Sequence, residues 1–378
     1  MDAMNFASRI IAWQRIHGRH QLPWQQTRDP YKVWLSEIML QQTQVSAVIP
    51  YYERFVARFP DVATLATAPT GDVMAHWAGL GYYARARNLH ACAQAVMRDW
   101  QGRFPARAVD LATLPGIGRS TAGAIAAFCA GERAPILDGN VRRVLSRHFA
   151  IDADPGAAAT LTRLWDLAQS LLPTQAACRH DPDTMASYTQ GLMDLGATVC
   201  TRSAPGCAAC PLAQSCIARA EDRVRDLPTP RTRRKQAERE VGVLIVHHGG
   251  KILLERRAPK GIWGGLWSFP EFDARQDPRS ACEAIGITAA SVEPMATFAH
   301  TFTHFRLMIH PWLVGAHSVG AHSLANGEAT VRAHPLATDQ APAETREWIC
   351  ANTLNEQGMP APVRKLLLEM VTAGLIGN

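Results

Sequence analysis

The sequence contains no apolar run approaching the roughly 18–20 residues that a membrane-spanning helix needs, which excludes a helical membrane span. Met1–Arg15 lacks a basic stretch followed by a long apolar block, so secretion is not expected and a cytoplasmic protein is. There is no internal repeat and no low-complexity tract, which excludes a repeat array or a compositionally biased chain. The nine cysteines also lack the distribution of a secreted disulfide framework. Cys200, Cys207, Cys210 and Cys216 crowd together, while Cys92, Cys129, Cys178, Cys282 and Cys350 are scattered. A reducing compartment with one metal site accounts for that pattern.

What remains is a folded, mildly basic chain. Its 378 residues predict two domains, and 47% apolar with 19% charged residues predicts globular rather than disordered structure. The net charge of +6 sits mostly forward. Residues 1–225 carry 23 Lys and Arg against 18 Asp and Glu, and residues 226–378 carry 16 against 15. A basic front half is compatible with nucleic acid, although an arginine-rich proteome would give the same numbers.

Residues 5–220 read as helices joined by short turns. Asp29-Pro30 supplies an N-cap and a first-turn proline for a helix predicted to run to about Gln44. Further helices are predicted at 46–58, 70–77, 84–99, 119–130, 140–148, 158–171 and 183–195. Asp226–Glu240 is polar, basic and holds two prolines, and reads as a linker between a domain at 1–225 and another at 241–378. In the second, Val241–Val246 and Lys251–Arg256 are β-type runs around His247-His248-Gly249-Gly250, which predicts a hairpin. Strands near 294–302 and 304–313 and a closing helix near 361–372 make this domain α+β.

Four constellations carry chemistry. Cys200, Cys207, Cys210 and Cys216 place four thiols within seventeen residues, enough to surround one compact inorganic centre. Zinc competes for such a set, but zinc sites usually pair two CxxC knuckles and only Cys207/Cys210 forms one here. Leu114-Pro115-Gly116-Ile117-Gly118 precedes the helical run Arg119–Ala130, so that backbone N–H groups at a helix start are available to a phosphate; an ordinary turn between packed helices would look the same. Glu37 shares a helix face with Val33 and Leu40. On an apolar face a carboxyl is poorly solvated, its pKa rises and it becomes a general acid near neutrality; the alternative is a solvated or ion-paired surface Glu. Asp138 follows Ala134-Pro135-Ile136-Leu137 and precedes Gly139-Asn140 and a basic helix, as an N-cap or as the second carboxylate of a glycosidic-bond-cleaving pair.

These features, in this order, resemble the endonuclease III and MutY superfamily of helix-hairpin-helix DNA glycosylases, over residues 5–220. Within it the chain is similar to the MutY-type adenine glycosylases: Ser36-Glu37-Ile38-Met39-Leu40-Gln41-Gln42-Thr43-Gln44-Val45, Gly79–Leu89 and Met193-Asp194-Leu195-Gly196-Ala197 are close to that branch's segments. Lyase-active relatives carry a lysine where Ser120 stands, and a serine cannot form an imine, so the resemblance implies a monofunctional enzyme. A mostly helical domain with a hairpin at about 107–130 and a 4Fe–4S cluster on Cys200, Cys207, Cys210 and Cys216 is implied.

By the same resemblance, Glu37 protonates a departing adenine and Asp138 stabilises the oxocarbenium-like sugar. Gln42 and Tyr82 wedge into the duplex beside 8-oxoguanine, Asn140 lies close to the lesion sugar, Gln190 lies near the extruded adenine, Arg19 lies near the entrance of the adenine pocket, and Ser120 is among the DNA-binding residues. Gly116 and Gly118 would hold phosphate. Gly261–Pro270 resembles the central segment of a Nudix-like recognition domain. The carboxylate cluster that a hydrolytic Nudix helix needs is missing, since only Ala281-Cys282-Glu283-Ala284-Ile285-Gly286 stands there. Phe302-Thr303-His304 resembles the loop that senses 8-oxoguanine. The implied partner is double-stranded DNA holding 8-oxoguanine:adenine or guanine:adenine mispairs, bound by a monomer. The alternatives are a glycosylase/lyase on oxidised pyrimidines and a non-catalytic damage binder.

Overall fold

The structure is a computed structural model describing residues 3–230, 236–258, 261–302, 304–317, 345–350, 353–354 and 357–375. The chain divides into two compact units, one formed by Met1–Thr67 with Asn88–Arg233 and the other by Ala68–Arg87 with Arg234–Asn378.

The first unit is helical, as expected. Asp29 is extended, accepts a hydrogen bond from the Tyr31 amide and is followed by Pro30, so the helix Pro30–Met39 starts where the residues dictate. It ends at Met39 rather than near Gln44, because Gln42 takes a left-handed φ of 59° that no helix accommodates. The next helix, Val45–Arg58, begins after that turn. Helices Arg119–Ala130, Gly139–His148 and Thr184–Asp194 bring Ala124, Val141, Val144, Tyr188 and Leu192 into one core with Phe6 and Ile10 of the first helix, Ala3–His17. Burial of such side chains stabilises by about 1.5–3 kcal/mol each for the larger ones. After Thr184–Asp194 the chain widens into a π turn over Leu195–Val199 that ends at Cys200, and short helical turns at Cys207–Ala209 and Ala213–Ser215 lie within the cysteine loop.

The second unit is α+β. The strand Ala237–His248 pairs antiparallel with Lys251–Arg256 and parallel with Phe305–Ala316, so that Val241 meets Ile309 and Ile245 meets Leu313. Gly249 and Gly250, both at positive φ, make the tight hairpin turn expected between His248 and Lys251. Ala289–Pro294 and Phe298–Thr301 replace the single strand expected near 294–302; both pair with Phe305–Ala316. Thr345–Cys350, not expected from sequence, pairs with Lys251–Arg256. The helices Pro278–Ala284 and Ala361–Thr372 complete the unit.

Residues 68–87 lie inside the range read as the helical domain, yet they cluster with the second unit. The Tyr83 hydroxyl donates to the Met359 carbonyl at 3.1 Å and Arg87 donates to the Gly264 carbonyl at 2.8 Å. Partners so remote in sequence leave no local signal. Among the described residues, no helix is long and apolar enough to cross a membrane.

Candidate active site

Two cavities of about 310 and 780 Å³ in the helical unit share Arg19, Trp24, Glu37 and Gln190 in their walls. Asp138, Asn140 and Ser120 line the larger one. Six of the residues expected to act on substrate therefore gather around one depression, although they come from five separate stretches of chain.

Glu37 stands on the Pro30–Met39 helix between buried Ser36 and Ile38. Burial, with the Asp138 carboxylate as a second cause, pushes its carboxyl up from 4.5 to about 8. At neutral pH the group keeps its proton, the state a general acid needs. Of the two roles that the sequence left open for Asp138, the N-cap is the one seen in the structure. Its Oδ1 accepts from the Val141 amide at 2.8 Å and caps the Gly139–His148 helix, while Oδ2 accepts from the Asn140 side chain at 3.1 Å. Burial raises the Asp138 pKa, and these bonds together with the charge of Arg143 oppose the rise by favouring the ionised form. The pair is thus differentiated: one carboxyl has no hydrogen-bonded support for its charge among these causes, and the other has several.

Ser120 accepts a hydrogen bond from the Leu137 amide at 2.9 Å, tying the first turn of one helix to the residue before Asp138. It positions the segment and is a cavity wall at once. The hairpin Leu114–Gly118 buries Leu114 and Ile117. Gly116 has a φ of 77°, and a Cβ there would come within 2.7 Å of the Asn88 side chain, so both backbone angle and space call for glycine. The Arg119–Ala130 helix that follows Gly118 has no side-chain cap, which leaves its first N–H groups to an external acceptor.

The expected wedge residues share a backbone signature. Gln42 and Tyr82 are exposed and are non-glycine residues at positive φ, 59° and 50°. Such conformations cost on the order of 1–3 kcal/mol and persist where a side chain has to be held outward. Tyr82 belongs to the second unit, with the Arg85 guanidinium 5.5 Å from its ring centre.

Of the loop expected to sense 8-oxoguanine, Phe302 and His304 are described and Thr303 lies outside the described residues. Phe302 stacks on Phe305 with ring centres 4.6 Å apart, meets His300 edge-on at 4.6 Å and leans on Trp263 at 5.6 Å. His304 is exposed.

The four crowded cysteines are half-buried and free of disulfides. They sense one another: burial first, and then the charges of Cys200, Cys216 and Cys207, push Cys210 up to about 11. Arg147 is only 2% exposed, yet it donates to the Cys200 sulfur at 3.4 Å and to the carbonyls of Thr201 and Leu227 at 2.6 and 2.8 Å. A buried guanidinium against sulfur suits thiolate ligands. Among the described residues no group of three or more His, Cys, Asp or Glu side chains is arranged to hold a single metal ion.

Sequence reasoning did not single out Asp194. Its carboxylate, wholly buried, accepts from the Arg19 backbone amide at 2.9 Å, from the Arg19 guanidinium at 2.6 Å and from the Gln190 side-chain amide at 2.9 Å. The one sequence signal was its position four residues after Gln190, on the same helix face.

Comparison with known proteins finds two families along the chain. A family described as "HhH-GPD superfamily base excision DNA repair protein" matches residues 35–170, and one described as "NUDIX domain" matches residues 241–369. The adenine DNA glycosylase of Buchnera aphidicola from Acyrthosiphon pisum is 32% identical, over 96% of this chain and 96% of its own length. The adenine DNA glycosylase of Homo sapiens is 32% identical, over 80% of this chain and 65% of its own length. Among solved structures, a thermostable thymine-DNA glycosylase superposes with a TM-score of 0.50 at 28% identity, covering 57% of this chain and 95% of its own.

Proposed function

The chain belongs to the adenine DNA glycosylase family and is a DNA glycosylase, and from that premise we propose that it removes adenine mispaired with 8-oxoguanine or guanine by extruding the base from the duplex. The observation that carries this reading is Glu37, protonated near neutrality, in the wall of a cavity that also holds Gln190 and Arg19. Unstacking a mispaired base costs a few kcal/mol, less than for a paired one, which itself favours mispairs.

With adenine in the cavity, Glu37 delivers its proton to a ring nitrogen of the five-membered ring. The glycosidic electrons leave with a neutral base rather than an anion. Positive charge develops on the sugar, and Asp138, with its hydrogen-bonded carboxylate, faces that charge. A water then adds to the sugar carbon and gives up its proton, for which the now ionised Glu37 is the nearby base. Ser120 offers no amine, so the product is an abasic site in an intact strand.

Cys200, Cys207, Cys210 and Cys216 would hold the 4Fe–4S cluster, which when bound supplies a cross-link for this loop. The reducing interior of a bacterial cell is the compartment that suits these thiols. The second unit reads the opposite base through Phe302, Thr303 and His304, and one copy of the chain acts on each lesion.

The test is a labelled duplex with one 8-oxoguanine:adenine pair, incubated with enzyme and then treated with alkali. Cleavage at the adenine is expected only after alkali, with no adduct trapped by borohydride. Absence of an alkali-labile product overturns the reading, and a trapped adduct overturns its monofunctional part.

A further inference from the structure

We propose that Asp194 is a positioning residue that sets the hydrogen-bond polarity of Gln190 and thereby selects a base bearing an amino donor over one bearing a carbonyl at the same ring position. The inference rests on the adenine-removing activity proposed above.

A carboxylate only accepts hydrogen bonds, so the Gln190 amide has to turn its nitrogen toward Asp194, and Nε2 donates to Oδ1 at 2.9 Å. The other end of that amide, Oε1, is then committed as an acceptor. Gln190 lines both cavities, so the wall beside Glu37 offers a base edge an acceptor rather than an ambiguous amide. Adenine carries a donor amine at carbon 6; hypoxanthine and guanine carry an oxygen there. An oxygen facing Oε1 leaves two acceptors in contact with no proton between them, which is a strong basis for rejection in a partly desolvated site.

Asp194 is itself prevented from turning. The Arg19 amide and guanidinium occupy its oxygens at 2.9 and 2.6 Å, and the side chain is shielded from water. The i,i+4 spacing on one helix keeps Gln190 and Asp194 in register, whereas Arg19 comes from 175 residues away. Arg19 therefore locks the carboxylate, and the carboxylate locks the glutamine.

The experiment measures single-turnover base release by the intact enzyme from duplexes carrying adenine or hypoxanthine opposite 8-oxoguanine, for wild type, Asp194→Asn and Gln190→Leu. In D194N the asparagine can present its amide oxygen or nitrogen, and Gln190 is free to flip. The ratio of adenine to hypoxanthine release is expected to fall about tenfold or more from the wild-type ratio. A purely structural role would slow both substrates together and leave the ratio unchanged, and that result overturns the proposal. If D194N does not fold, Q190L decides: it keeps Asp194 and Arg19 paired but removes the amide, and an unchanged ratio again overturns the proposal. Failure of the wild-type enzyme to release adenine at all is a different outcome and refutes the parent activity instead.

Discussion

The two units hold their working side chains in different ways. Around the cavities of the helical unit, several polar groups are oriented by other polar groups: Asp194 by Arg19, Gln190 by Asp194, Asp138 by Val141 and Asn140, and the Leu137 amide by Ser120. In the second unit Phe302 is held by aromatic rings, stacked on Phe305, edge-on to His300 and tilted against Trp263, with Arg239 over the Phe305 ring and Arg257 over the Trp263 ring. Hydrogen bonds fix an angle and a protonation state; stacked rings fix a plane. Bond breaking needs the first kind of control, and recognition of a flat, altered base needs the second.

The largest test of that contrast is Glu37→Gln, which keeps shape and removes the proton. Single-turnover adenine release should fall by about 10²–10⁴-fold while duplex binding, followed by gel shift, is retained. Equal loss of both would mean that Glu37 only supports the fold. Next comes Asp138→Asn beside Asp138→Ala. Asparagine is also a good N-cap, so D138N should lose about 10²–10³-fold in rate with its melting temperature nearly unchanged, whereas D138A should lose about 1 kcal/mol of stability as well.

The pH dependence is a smaller effect with a defined sign. Glu37 has to be protonated, so the rate should fall about tenfold per unit above about pH 8, and it should fall again on the acid side as Asp138, whose pKa burial raises, takes up a proton. Because its folded pKa is raised, the native state holds a proton that the unfolded chain has lost between 4.5 and about 8, and stability declines as pH rises through that window. E37Q should lose this decline, so its melting temperature should gain on wild type across the same range. The smallest effect is expected from Phe302→Ala. Loss of ring pairs worth about 0.5–1.5 kcal/mol should reduce the preference for 8-oxoguanine over guanine by about 2–10-fold, with adenine release at saturation unchanged. A large drop in that release would show that the two kinds of control are not separable.

Much of the site was legible because its signals are local. The apolar face around Glu37, the Asp29-Pro30 start, the Gly116–Gly118 turn and the cysteine spacing each rest on a few consecutive residues. Asp194 was not legible as an anchor, since its partner Arg19 is 175 residues away in the chain. The true end of the Pro30–Met39 helix was missed because the left-handed turn at Gln42 contradicts that residue's helix propensity. Thr345–Cys350 was missed because a strand of six residues acquires its identity from the partner beside it.

The second unit is assembled from two visits of the chain, Ala68–Arg87 and Arg234–Asn378. During synthesis the first of these leaves the ribosome long before the second exists. Tyr83 must wait for Met359, 276 residues later, before its hydroxyl can make the bond seen here. Chains grow at about 5–20 residues per second, so that pause lasts on the order of tens of seconds, much longer than most helices take to form. The second unit is therefore the last part of the enzyme to mature, and a chain cut short before residue 234 would present an orphaned segment to the cell's quality control.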